Sequence, residues 1–264
     1  IDRNALYILI DYIKADFGLT DAQSGLLLGA AFAFLYAFVG LPAGYLVDRF
    51  NRRHLIIAAV VFWSLMTAFS GLANTFGLLF MGRMGVGLGE AFLSPAAGSL
   101  IRNALPLQHR ARAFGVINAC ASVGGGLALV VVGGLAAALP PTGIALPVIG
   151  PLSVWQLVLL LVGVIGIPLS LLVLTFPEPP REQVTATSHP ATMSFFFHWL
   201  ARHKRFYLVI FVTMAVVGIG TYGYATWMPT ALARRWGIAP GLIGVTYGSI
   251  QMAAALTGIA IGAN

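Results

Sequence analysis

From Ala22 to Val47 no residue carries a charge, and the same holds from Ala113 to Phe176 and from Phe206 to Leu232. Runs of this kind constrain the fold more than any motif. About 20 apolar residues cross a bilayer as a helix, because a helix satisfies its own backbone groups where no water can. Counted along the chain, the spans are Ile1 to Ile13 (short of a full crossing), Ala22 to Val47, His54 to Ala73, Phe76 to Ile101, Ala113 to Leu139, Val154 to Phe176 and Phe206 to Leu232, with an eighth beginning at Gly241. Short connections leave no room for a soluble domain. Charged residues make up 9% of the chain and mean hydropathy is +0.90, against about 25% charged in soluble domains. The expected fold is all-α and multi-pass. Residues 1–176 form one six-helix bundle with an incomplete first helix, 177–205 a linker, and 206–264 the start of a second bundle.

Orientation follows from the loop arginines. Arg49, Arg52 and Arg53, then Arg102, Arg110 and Arg112, then Arg181, Arg202, Lys204 and Arg205 fall on one side. The other side holds only Lys14, Arg234 and Arg235, beside Asp11, Asp16 and Asp21. The arginine-rich side is therefore expected to be cytoplasmic, with a cytoplasmic N-terminus; Arg234-Arg235 runs against the rule. The formal net charge of +7 belongs to these loops and does not call for nucleic acid. The lone Cys120 lies in an apolar run, so neither a disulfide framework nor a metal or cofactor site is expected.

Span four breaks its own pattern. Arg83, Gly87, Glu90 and Ser94 stand at i, i+4, i+7 and i+11, one stripe of a continuous helix. An ionisable group at membrane depth costs at least ~2.5–3.5 kcal/mol and so faces a partner or a wet cavity. A structural ion pair and a binding or proton-handling site both fit. Asp2-Arg3 in span one reaches similar depth, roughly 21 Å from the far end of its span at about 1.5 Å per residue. Two acids and two arginines are thus expected around one central cavity.

An internal repeat supports two halves. Phe17-Gly18-Leu19 with Gly25 and Gly29 is matched by Trp236-Gly237-Ile238 with Gly244 and Gly248, all at one offset. The loop after span two reads Gly44-Tyr45-Leu46-Val47-Asp48-Arg49-Phe50-Asn51-Arg52-Arg53. It resembles the signature of the major facilitator superfamily, Gly-x-x-x-Asp-Arg-x-Gly-Arg-Arg, with Asn51 in place of a glycine. Asn tolerates positive φ, so a tight turn is expected to survive there. Asp2-Arg3 together with Arg83-x-x-x-Gly87-x-Gly89-Glu90-Ala91 and Pro95 is similar to the Spinster family, lysophospholipid and sphingosine-1-phosphate exporters, and to a bacterial member in particular.

The resemblance implies a major facilitator fold of twelve helices, of which about eight are present, so the chain reads as a piece of a longer protein. It implies a secondary transporter of lysolipid-like amphiphiles, a monomer in a bacterial inner membrane, with lipid, protons and the bilayer as partners. Glu90 and Asp2 are the expected proton sites. Arg3 and Arg83, with Tyr222 and Tyr224 of span seven, are the expected substrate contacts. Gly44, Asp48, Arg49, Arg53 and Arg102 form the expected gating motif, with Arg102 the candidate partner of Asp48. Transport of small organic anions or drugs is the alternative. No nucleophile-and-base set for an enzyme appears, and Gly85-x-Gly87-x-Gly89 lies inside a membrane helix rather than between strand and helix.

Overall fold

The computed structural model describes residues 2–140, 143–147, 150–180 and 193–262. In chain order the elements are α1 (Asp2–Phe17), α2 (Asp21–Gly25), a π-helical turn (Leu26–Ala30), α3 (Ala31–Arg49), α4 (Arg52–Gly71), α5 (Phe76–Glu90), α6 (Leu93–Ala104) and α7 (Leu107–Ala138). A two-stranded antiparallel hairpin, β1 (Ile144–Leu146) and β2 (Gly150–Leu152), precedes α8 (Val154–Ser170), α9 (Met193–Arg202), α10 (Lys204–Trp236) and α11 (Pro240–Gly262). Among the described residues seven helical stretches are long and apolar enough to cross a membrane, and α1 adds a shorter eighth helix.

Local chemistry sets the helix starts. Thr20 and Gln23 bond reciprocally before α2, as do Ser153 and Gln156 before α8, each a capping box readable in the sequence. Asn51 begins α4 by accepting from the His54 N–H at 3.1 Å. Its φ is −57°, so the positive-φ turn expected at this position does not form; the side chain serves as an N-cap instead. The Gly18 and Gly237 repeat does carry a shared geometry. Both have φ +63°, and behind each a backbone N–H reaches back five residues, Leu19 to Lys14 and Ile238 to Ala233, each at 3.1 Å. That is a left-handed helix stop, which glycine adopts without steric cost.

Several boundaries differ from the sequence expectation. Helix α7 starts at Leu107, so Arg110 and Arg112 lie on a helix and not in a loop. Arg110 donates from Nε to the Leu105 carbonyl (3.0 Å) and from Nη2 to the Arg102 carbonyl (2.7 Å), closing the exposed end of α6. Span four is not continuous: α5 ends at Glu90 and α6 begins at Leu93. Pro95 explains the break, since its ring cannot donate to the Ala91 carbonyl and crowds it. Ser94 therefore does not share an unbroken stripe with Arg83 and Glu90.

Glycines bring α5 into close contact with two helices at once. A Cβ at Gly85 would lie 2.5 Å from Met66 and one at Gly89 2.8 Å from Trp63, both on α4, while Gly82 abuts Ser70 of the same helix. On another side of α5, a Cβ at Gly87 would collide with the Phe32 carbonyl of α3. With α5 pressed between α3 and α4, the remaining Arg83 and Glu90 are left toward α1. A second glycine seam joins α7 to α11. Gly126 faces the Gly248 carbonyl at 2.7 Å, and Gly133 faces the Gly241 carbonyl at 2.6 Å, from where each Cβ would stand.

Two compact units result, one formed by Ile1–Pro179 with Pro229–Asn264 and the other by Pro180–Met228. The first holds the buried core around α1, α5 and α8 and every buried charge described below. The second consists of α9 and the first part of α10, where the rings of Trp199, His203 and Tyr207 lie against one another at 4.8 and 5.3 Å.

Candidate functional site

The first turn of α1 distributes three neighbouring side chains to three sets of helices. Asp2 is buried, with Trp63 of α4 and Arg83 of α5 as its electrostatic neighbours. The Arg3 guanidinium stands 4.2 Å over the Phe32 ring of α3, a cation–π contact. Phe32 in turn stacks on Tyr36 at 5.3 Å. Asn4 approaches Gly125 of α7. These directions follow from the roughly 100° step of a helix.

Arg83 is fully enclosed, at 1% exposure. Its Nη1 donates to the Asp2 carbonyl at 3.3 Å and its Nη2 to the Arg3 carbonyl at 3.4 Å, and its Nε has no partner among the described residues. Long, backbone-directed bonds position the guanidinium without neutralising it. The acids in electrostatic reach of it are Glu90 and Asp2. Glu90 is half-buried and has Arg3, Arg83 and Asp2 within electrostatic reach. Of the four residues singled out by sequence, Asp2, Arg3 and Arg83 touch one another, and Glu90 lies within electrostatic reach of them.

At the arginine-rich face, Gly44, Asp48 and Arg102 line one cavity of about 250 Å³ together with Phe114. Arg49 stacks over Tyr45 at 4.3 Å. The buried ion pair of this face, however, is one the sequence reasoning passed over. Arg52, at 1% exposure, donates from Nε to Glu178 at 2.6 Å, from Nη1 to Ser99 and from Nη2 to the Pro179 carbonyl. Glu178 also accepts the backbone N–H groups of Arg52 and Arg53, so one carboxylate both pairs a charge and caps α4. Burial by itself would raise the Glu178 carboxyl; the hydrogen bonds from Arg52 and Arg53 outweigh it and hold it below the usual glutamate range. Arg53 donates to the Leu174 carbonyl at 3.0 Å. A signal was present: Glu178 is one of eight acids in the chain and sits among arginines.

The opposite face has its own cluster. Arg234 donates to Asp11 at 2.7 Å and to Asp21 at 3.0 Å, and Lys14 donates to Asp21 at 2.7 Å. The arginine that ran against the charge rule is thus held by two acids of the first half. Nearby, the Trp155 indole donates to Asp16 at 2.6 Å. Between the faces, α7 and α11 touch from Gly126 onward and part toward the arginine-rich end. There a groove of about 890 Å³ is lined by Arg112, Asn118 and Ser122 of α7 and by Ala255, Gly258 and Ile259 of α11. Tyr222 and Tyr224 lie on α10 in the second compact unit, 38% and 59% exposed.

The sequence profile of the Major Facilitator Superfamily matches residues 1–263. Among solved structures, a bacterial homologue of the human lysosomal transporter Spinster, in an inward-facing, unoccupied conformation, is similar with a TM-score of 0.80 and 31% identity, covering 97% of this chain and 57% of that one. Spinster homolog 1 of Xenopus tropicalis is 30% identical over 241 residues, 89% of this chain and 43% of that protein. The probable L-galactonate transporter of Escherichia coli K12 is 32% identical over 124 residues, 47% of this chain and 27% of that protein. The chain spans about half the length of the relatives that it matches along most of its own length.

Proposed function

Because this chain belongs to the major facilitator superfamily, a family of transporters, we propose that it forms the larger part of one half, and the start of the other, of a secondary transporter for anionic amphiphiles of the lysolipid class. In this reading Arg3 and Arg83 receive the anionic headgroup. Glu90 and Asp2 take up and release protons as the site opens to either side, and Tyr222 and Tyr224 are further substrate contacts in this reading. The loop residues Gly44, Asp48, Arg49, Arg53 and Arg102 gate the arginine-rich face, which is cytoplasmic, and the protein resides in the bacterial inner membrane.

The observation that carries the proposal is the Arg3–Phe32 contact beside Glu90. A guanidinium held on an aromatic ring, next to an acid at the same depth, offers an anion a cationic head and an apolar wall together. Arginine keeps its charge throughout, so protonation of the acid changes the net charge that a substrate meets. The likeness to Spinster homologues favours a lipid. The likeness to a probable L-galactonate transporter favours a second reading, a small hydroxylated organic anion bound by the same arginines.

Transport into proteoliposomes separates the two. Lysophosphatidic acid and lysophosphatidylglycerol are run against L-galactonate and glucuronate, with Arg3→Ala as control. The first reading expects lysolipid transport that Arg3→Ala abolishes. Transport of the sugar acids alone would replace it with the second.

A further inference from the structure

Beside the charged cluster, two carboxamides from different helices converge over a single glycine. The Asn4 Nδ2 of α1 lies 3.2 Å, and the Gln251 Nε2 of α11 3.6 Å, from where a Cβ on Gly125 of α7 would stand. Both side chains are half-buried. Neither forms a hydrogen bond with a described residue, although many other polar side chains of the membrane helices bond to a carbonyl of their own helix, as Asn118, Ser122 and Thr246 do. An unpaired carboxamide is strongly disfavoured in hydrocarbon, so this pair faces water or the polar part of a ligand.

Its place in the fold decides which. Ser122 lies one turn before Gly125, and Ala255 one turn after Gln251, and both line the groove of about 890 Å³ between α7 and α11. The groove closes where Gly126 meets Gly248 and Met252. Asn4 and Gln251 therefore stand at its closed end, and Arg3 is the next residue of α1. Gly125 keeps the space between the amides open, since a Cβ there would crowd Asn4 and touch Gln251.

We propose that Asn4 and Gln251 form a hydrogen-bonding subsite for an uncharged polar group of the substrate, a hydroxyl adjacent to its anionic end. A carboxamide offers both a donor and an acceptor, as a hydroxyl does, so of two amides one can accept the hydroxyl proton while the other donates to its oxygen. The anion and the hydroxyl are then read by consecutive residues of α1, Arg3 and Asn4. The subsite rests on the transport reading above and sharpens it: the substrate is a hydroxylated anion, whether a lysolipid with a free glycerol hydroxyl or a sugar acid. A site built to bond a hydroxyl rejects the analogue without it, because its own polar groups are left unpaired.

The test uses matched probes on the whole purified protein: 1-oleoyl-glycerol-3-phosphate against 3-oleoyloxypropyl phosphate, which lacks only the hydroxyl, and L-galactonate against its 2-deoxy form. Binding affinity is measured for wild type, Asn4→Leu and Gln251→Met, near-isosteric changes, with melting temperature as a check on folding. The expected result is a preference of about tenfold or more for the hydroxylated member of one pair, erased in both variants while affinity for the deoxy member stays unchanged. Equal affinity for both members in wild type would overturn the subsite and leave the transport reading standing. Loss of both members together in the variants, at unchanged melting temperature, would also overturn it. If none of the four probes binds wild type, the transport reading fails and the subsite falls with it.

Discussion

At Gly87 the difference between hydrogen and methyl sets how near α5 comes to α3, and through that where Arg83 and Glu90 stand. The added Cβ of Gly87→Ala would collide with the Phe32 carbonyl, and backbone yields less readily than a side chain. This substitution is expected to cost about 1–3 kcal/mol as overpacking, whereas Gly29→Ala, in open space, should cost nothing; melting temperatures in detergent compare the two. Glu178 is the other residue on which much depends. Glu178→Ala leaves Arg52 buried without its counter-charge, a loss of ~3–5 kcal/mol for pairs of this kind. The folded state holds the Glu178 proton less tightly than an unfolded chain, whose glutamates titrate near ~4.3. Its stabilisation is therefore complete above that value and is lost as pH falls through the lower folded one. The gap in melting temperature between wild type and Glu178→Gln should stay constant from neutral pH to about 5 and narrow only below about 4. Both residues show what could be read in the sequence. The cost of a charge in an apolar run pointed to Arg83 and Glu90, because burial is written in the neighbours. Arg52 and Glu178 lie 126 positions apart in polar loops, where composition says nothing about burial.

Among the elements, helix existence was legible and helix limits were not. Long apolar runs located every crossing helix, including the one that carries Arg83 and Glu90. But α7 extends into a segment bearing Arg110 and Arg112, because arginines at a helix end are tolerated at an aqueous face and one of them caps its neighbour. Pro95 breaks span four at a point where hydropathy is uniform, so only the missing N–H records it. The helix stops at Gly18 and Gly237 could be read as a repeat, and the structure gives them the same φ. Arg234 ties the end of α10 to α1 and to the start of α2 through Asp11 and Asp21. Exposed pairs of this sort are worth about 0–1 kcal/mol each and weaken with salt. Arg234→Gln should leave the melting temperature nearly unchanged. It should raise the labelling rate of a cysteine placed at Ala233, buried beside it, by a water-soluble maleimide, and high salt should do the same to wild type.

For the molecule as a whole, the charge cluster and the family fold carry different weights. Membership in the superfamily accounts for the helix count and the half-repeat, while the substrate and coupling proposed above rest on Asp2, Arg3, Arg83 and Glu90. Glu90→Gln is expected to leave the protein folded and to flatten the pH dependence of transport; a profile in proteoliposomes that matches wild type at every pH would remove Glu90 from proton coupling. Where α7 meets α11, glycine faces glycine backbone at two places, with Leu129, Ala137 and Met252 packed beside them. A contact made mainly through glycine has few side-chain rotamers to change on parting, so in the transport reading this seam adds little to the barrier between states. If transport parts this seam, the rate of switching is expected to respond to bilayer thickness and lateral tension more than to substitutions that only change side-chain packing beside it.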